Sequence, residues 1–112
     1  MTAARDAALR ELEAAFPRER LVRDPERLEA YGRDESDLGA RPPDAAVLVE
    51  SAEEIRAIFA VATRHRVPVI PVAARSGKSG GVLALHGGIA VSLARMNRIL
   101  EISPADRVAR VQ

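Results

Sequence analysis

Cysteine is absent from the 112 residues, which excludes a disulfide framework, a thiolate metal site and a cysteine nucleophile. Aromatic residues are scarce: Phe16, Tyr31 and Phe59 make up 3% of the chain. Proteins that grip single-stranded nucleic acid stack bases on several aromatic side chains, and three scattered rings build no such platform. An excess of one charge sign is also lacking, since 17 basic and 16 acidic residues are interspersed and leave a formal charge of +1. No basic stripe marks a nucleic-acid face. Hydrophobic runs are short, and none approaches the length that crosses a bilayer. The N-terminus, from Met1 to Arg10, carries charges instead of the apolar core of a signal peptide. A cytoplasmic protein is expected. Histidine is limited to His65 and His86, and no carboxylates stand at metal-ligand spacing beside either, so no metal is expected. Lysine is the rarest cation, Lys78 being the only one among the basic residues.

What remains is ordinary for a globular protein, with 47% hydrophobic and 29% charged residues. The length suits one domain at most and leaves no room for a second, substrate-shaping domain. Ala8, Leu9, Leu12 and Phe16 repeat at helical spacing before Pro17, which predicts a helix over 3–16. Asp24-Pro25-Glu26 offers an N-cap, a proline at the first helical position and an acid in the first turn, so a short helix is expected over 25–32. Residues 32–44 mix Gly, Asp, Ser and Pro42-Pro43 and read as an irregular crossing segment.

The continuous apolar run 45–49 predicts a strand buried on both faces. Ser51-Ala52-Glu53-Glu54 has the form of a capping box. Ile55, Ile58, Phe59 and Ala62 form one apolar stripe on the helix it opens, and Pro68 ends that helix. Val69-Ile70-Pro71-Val72 is a second apolar run, so residues 45–72 read as strand, helix, strand with parallel pairing. A third strand is expected over 89–93, a helical turn over 95–99, and a closing hairpin from 100–102 and 107–111 through Ser103-Pro104-Ala105-Asp106. The fold class is α+β: a small mixed sheet with flanking helices.

Between the second and third strands lies Arg75-Ser76-Gly77-Lys78-Ser79-Gly80-Gly81. Glycines let a backbone approach a ligand closely, so that successive N–H groups and hydroxyls converge on an anion. A phosphate cradle and a plain surface turn between strands both fit the loop taken alone. Two nucleotide motifs do not fit. Gly77-Lys78-Ser79 copies the end of a Walker A loop, but Val72 stands where its first glycine belongs, and Gly80-Gly81 is a poor helix start. The Rossmann pattern G-x-G-x-x-G finds no match, and it belongs after a first strand.

Together with its flanks, the loop resembles the FAD-binding domain of the vanillyl-alcohol oxidase type, also called PCMH-type. The subgroup it is most similar to contains the glycolate oxidase FAD subunit and D-lactate dehydrogenase. The resemblance runs over residues 20–112. It is carried by Arg41-Pro42, the strand through Val49, Ser51 to Glu54, Val67-Pro68-Val69-Ile70-Pro71, the loop, and Gly87-Gly88-Ile89. Val91, Leu93, Met96-Asn97, Ile99, Asp106 and Val111 continue it.

The resemblance implies that residues 1–42 form a helical N-terminal segment and 43–112 the first part of the FAD-binding domain, incomplete at its C-terminus. It implies FAD as cofactor, with the pyrophosphate bound by Ala74, Arg75, Ser76, Gly77, Lys78, Ser79, Gly80 and Gly81, and with Pro71 fixing the loop entry. Relatives that tether flavin through a loop histidine carry it where Lys78 stands, and cysteine for a cysteinyl link is absent, so FAD is expected to be non-covalent. Ala73 stands where many relatives have glycine, which predicts negative φ or slight strain there. Arg75 also replaces a common glycine, and Glu50 a common proline.

By the same resemblance, the complete enzyme oxidises a 2-hydroxy acid such as glycolate or D-lactate and passes electrons to an acceptor of unknown identity. No catalytic base is expected in these residues. A phosphate- or nucleotide-binding module without redox chemistry, and a truncated chain without activity of its own, remain alternatives. His65 is explained by favourable contact with a helix C-terminus, and His86 by an exposed loop. Asp34, Glu35 and Asp37 read as solvated acids of the crossing segment. Met96 and Tyr31 read as packing residues.

Overall fold

The computed structural model describes residues 2–112. Helix α1 (Ala3–Ala15) begins at Thr2, whose Oγ1 accepts the Arg5 amide at 3.3 Å. A 3-10 turn, Arg18–Arg20, leads into the two-residue strand β1 (Leu21–Val22). Helix α2 (Pro25–Tyr31), strand β2 (Ala45–Leu48), helix α3 (Ala52–His65) and strand β3 (Val69–Val72) follow. Strand β4 (Ile89–Ser92) and the hairpin of β5 (Ile99–Ser103) and β6 (Val108–Val111) complete the chain. This is the expected α+β fold, a small mixed sheet with flanking helices.

The main sheet has the order β1-β2-β4-β3. Strands β2 and β3 run parallel, but each pairs with β4 and not with the other. The expected strand–helix–strand unit therefore forms with a gap, and the 89–92 segment fills it. β1 pairs antiparallel with β2, Leu21 opposite Val47. Two residues flanked by charges carry no periodicity of their own, which is why the pattern leaves β1 unannounced.

Both faces of the sheet are covered. Ala45, Val47, Val49, Ile89 and Val91 turn toward α1 and α3, where Ala8, Leu9, Leu12, Ile58, Val61 and Ala62 meet them. Ala46 and Ala90 alternate to the other face and pack with Val22, Leu28 and Val72, against Tyr31, Leu48, Ile70 and Val82. Alternation along each strand thus divides one apolar run between two cores, as a doubly covered sheet requires. Met96 and Tyr31 pack against these cores, as expected of them.

Several local expectations are corrected. The capping box forms only in its first half: Ser51 Oγ accepts the Glu54 amide at 3.3 Å, but the Glu54 carboxylate turns away to Arg20 Nη1 at 2.6 Å. A guanidinium offers a carboxylate a stronger partner than a solvated backbone amide does. Asp24 stands at the N-cap of α2 without a side-chain cap bond. The buried stripe of α3 is Ile58, Val61 and Ala62, while Phe59 is half exposed. The helical turn expected over 95–99 is a single turn closed by the Met96 amide on the Leu93 carbonyl at 2.9 Å, after which the backbone extends into β5.

Candidate functional site

The loop leaves the C-terminal end of β3 and turns back to enter β4. In open sheets with parallel strands, ligands collect outside these C-terminal ends. β3 is an edge strand of the sheet. That position lets Pro71, paired in register with Val91, lack an amide without breaking an inner ladder. Val72 is buried, and the residues from Ala73 through Ser79 are exposed.

Two positive φ angles bracket the turn. Arg75 has φ 58° and Gly80 φ 82°, while Ala73 stays outside the left-handed region, as its side chain favours. Arg75 takes a conformation that glycine adopts without strain, and its guanidinium bonds the Ala30 carbonyl at the end of α2. At Gly80 an added Cβ would meet Leu38 Cδ1 at 2.8 Å, so glycine is needed there both for φ and for space.

Gly77 and Gly81 are different. Neither has positive φ, an added Cβ at Gly81 would meet nothing within 4 Å, and one at Gly77 would meet only Asp34 Oδ2 at 4.0 Å. The protein's own packing does not ask for glycine at either place. Among the described residues, the amides of Ser76, Gly77, Lys78, Ser79 and Gly81 donate to no protein acceptor. All five residues are exposed, and Lys78 makes no ion pair among the described residues. A run of free amides beside two open glycine positions, two hydroxyls and one ammonium has the donor chemistry that a pyrophosphate requires. The residues present fit FAD at that end of the molecule.

Around Arg75 lie two clefts of opposite charge. One, about 470 Å³, runs between α2, the crossing segment and the loop, and Glu26, Glu29, Asp34 and Glu35 outnumber Arg33 and Arg75 on its walls. The other, about 300 Å³, opens at the ends of β3 and β4, where Arg27 and Arg75 meet Tyr31, Val72, Ala73, Ser92 and Ala94 with no acid among them. An anion is repelled from the first and tolerated in the second.

Asp34, read from sequence as a solvated acid, is instead bonded to the loop. Its Oδ2 accepts the Gly80 amide at 2.9 Å and its Oδ1 the Ser36 amide at 2.9 Å. The Ser36 hydroxyl and then the Ser36 amide hold its carboxyl below the usual aspartate value; desolvation opposes them, and the Gly80 amide adds a smaller lowering. Forty-six residues separate Asp34 from Gly80, so no local pattern announces the contact.

His65 binds Glu11 of α1, Nε2 to Oε1 at 2.6 Å, and lies away from the loop. His86 is exposed, and its carbonyl accepts a bond from Arg5. Among the described residues no group of three or more His, Cys, Asp or Glu is placed to hold a metal ion. No helix among them is long and apolar enough to cross a membrane.

The chain is 40% identical over 78 residues to a probable mitochondrial D-lactate dehydrogenase of Danio rerio, covering 70% of this chain and 16% of that protein. It is 37% identical over 107 residues to D-2-hydroxyglutarate dehydrogenase of Xanthomonas citri pv. viticola, covering 96% and 23%. The glycolate oxidase subunit GlcD of Escherichia coli is 46% identical over 70 residues, 62% of this chain and 14% of that one. The chain thus spans less than a quarter of the length of these relatives. Among solved structures, alkyldihydroxyacetonephosphate synthase superposes over 94% of this chain and 22% of its own, with a TM-score of 0.81 and 25% identity. p-Cresol methylhydroxylase shares the fold, with a TM-score of 0.78 at 18% identity over 94% of this chain and 21% of its own. The family model described as FAD binding domain matches residues 43–112, a span that includes the glycine-rich loop, and the chain belongs to the PCMH-type FAD-binding family, whose cofactor is FAD.

Proposed function

We propose that residues 74–81 cradle the pyrophosphate of FAD, with Pro71 fixing the entry to the loop. The observation that carries this reading is the run of exposed, unbonded amides at Ser76, Gly77, Lys78, Ser79 and Gly81, beside glycines whose missing side chains leave room for a ligand. The amides of these residues donate to the phosphate oxygens, Ser76 and Ser79 add hydroxyls, and Lys78 adds a positive charge. No histidine or cysteine stands in the loop, so the loop itself holds FAD without a covalent bond. Arg27 and Arg75 give the cleft beside the loop the favourable sign for the same anion.

The complete protein, in this proposal, is an FAD-linked oxidase or dehydrogenase acting on a 2-hydroxy acid such as glycolate or D-lactate. The printed names of the relatives support that substrate class, D-2-hydroxyglutarate included. Bound by residues 74–81, FAD would supply the redox chemistry of the alcohol's oxidation. The residues of this chain bind and orient the dinucleotide end of the cofactor and carry no catalytic base. Residues 43–112 form the first part of the FAD domain and 1–42 its helical prelude.

The reading is tested by adding FAD to the purified protein. Ligand at a hundred times its dissociation constant adds about 2.7 kcal/mol of stability, so the melting temperature rises. Gly77→Val is the informative variant, because φ is not positive there and its Cβ would meet nothing closer than Asp34 Oδ2 at 4.0 Å. The expected result is an unchanged melting temperature without FAD and a lost FAD shift. A Gly77→Val protein that binds FAD as the parent does would remove the pyrophosphate from this loop.

A further inference from the structure

We propose that Asp34 is a positioning residue for the cofactor loop: its carboxylate clasps the loop from outside, so that the amides offered to phosphate point outward before FAD arrives. This rests on the reading that residues 74–81 receive the pyrophosphate.

A loop of three glycines and two serines in seven positions has many conformations, and only a few converge several amides on one anion. Something must select among them. Arg75 ties the start of the loop to the Ala30 carbonyl, but Ser76, Gly77, Lys78 and Ser79 beyond it are exposed. The selection comes from the crossing segment. Asp34 Oδ2 accepts the Gly80 amide at 2.9 Å, and one residue on, the Glu35 amide donates to the Gly77 carbonyl at 2.9 Å. These two bonds hold the loop at two points three residues apart, one through its N–H and one through its C=O. Leu38 closes the same side, with its Cδ1 against the Cα of Gly80 so closely that a Cβ would collide at 2.8 Å. Between the two fixed points, Lys78 and Ser79 keep their amides free.

The carboxylate is itself held. Ser36 donates both its amide and its hydroxyl to Oδ1, which leaves Oδ2 aimed at Gly80. Asp34 does not serve as a phosphate ligand, because its charge opposes that of the pyrophosphate. Its role runs through Gly80. That separation of roles makes a sharp test: the acceptor oxygen is wanted, and the negative charge is not.

Asp34→Ala and Asp34→Asn in the full chain divide the two. Without FAD, amide hydrogen exchange at Gly80 is expected to accelerate in Asp34→Ala and to accelerate less in Asp34→Asn, which keeps one acceptor oxygen for Gly80 but puts an NH2 where Ser36 now donates. In FAD titrations followed by flavin fluorescence, Asp34→Ala weakens binding by about tenfold, the worth of one hydrogen bond to a charged group, while Asp34→Asn stays within about threefold of the parent. Asp34→Ala binding FAD like the parent overturns the proposal, as does Asp34→Asn losing as much as Asp34→Ala. If the parent itself binds no FAD, the cofactor reading of the loop fails instead. Gly80 exchange still reports the clasp in that case, so the two failures are distinguishable.

Discussion

At Arg75 the loop accepts strain to gain an anchor. A left-handed conformation costs a residue with a Cβ about 1 kcal/mol relative to glycine, and Arg75 sits there with φ 58°. Its guanidinium recovers part of that by bonding the Ala30 carbonyl, one of the acceptors that a helix C-terminus leaves open. Removing the side chain while keeping the Cβ retains the strain and loses the anchor. Removing both loses the anchor and the strain together. Arg75→Gly is therefore expected to be more stable than Arg75→Ala by about 1 kcal/mol in urea unfolding. Equal stabilities would mean that the φ at this position relaxes freely in solution. The pair also weighs the arginine's charge in the acid-free cleft, because both variants lose it equally and any shared fall in FAD affinity belongs to the guanidinium.

Among the elements, the contact between α1 and α3 combines an apolar core with a polar edge. Leu9 and Leu12 bury against Ile58, Val61 and Ala62, while at the rim Glu11 binds both His65 and Arg64 at the end of α3. The bond from His65, then that from Arg64, lowers the Glu11 carboxyl from its ordinary 4.5. A carboxyl lowered by folding stabilises the folded state above its unfolded pKa, and that contribution disappears as pH falls through the folded value. Parent and Glu11→Gln proteins should thus differ in melting temperature at neutral pH and converge as pH drops below 4.5. A gap that persists unchanged to low pH would trace to packing instead of charge.

Which elements were legible in the sequence follows from how local their causes are. Helices α1 and α3 and strands β2 and β3 carry their own periodicity and caps, so their spans stand within a residue or two of expectation. The insertion of β4 between β2 and β3 depends on how a 16-residue connection folds back, which no window of sequence contains. The glycine loop was legible because glycine density is local. The Asp34 clasp was not, since it joins the crossing segment to a loop in another part of the chain. Glu54 escaped for the same reason: its partner Arg20 lies 34 residues away.

On the scale of the whole molecule, stability is unevenly distributed. The radius of gyration is 15.2 Å, against about 13 Å for a compact chain of this length. The excess has a visible source in the β5–β6 hairpin, which pairs only with itself as a separate two-stranded sheet. Ile99, Leu100, Ile102, Val108 and Val111 are each more than half exposed on it. An isolated two-stranded hairpin is marginal in water, so these side chains contribute little to the cooperative unfolding of the four-stranded sheet and its helices. Leu12, fully buried between α1 and the sheet, contributes a great deal. Leu12→Ala is expected to cost about 2–5 kcal/mol in urea denaturation, and Ile102→Thr less than about 0.5 kcal/mol. If Ile102→Thr costs as much as Leu12→Ala, the hairpin is buried in solution by a contact that this arrangement of strands does not contain. The comparison must be made at several protein concentrations, because exposed strand edges invite pairing between copies, and a cost that appears only at high concentration belongs to association and not to the fold.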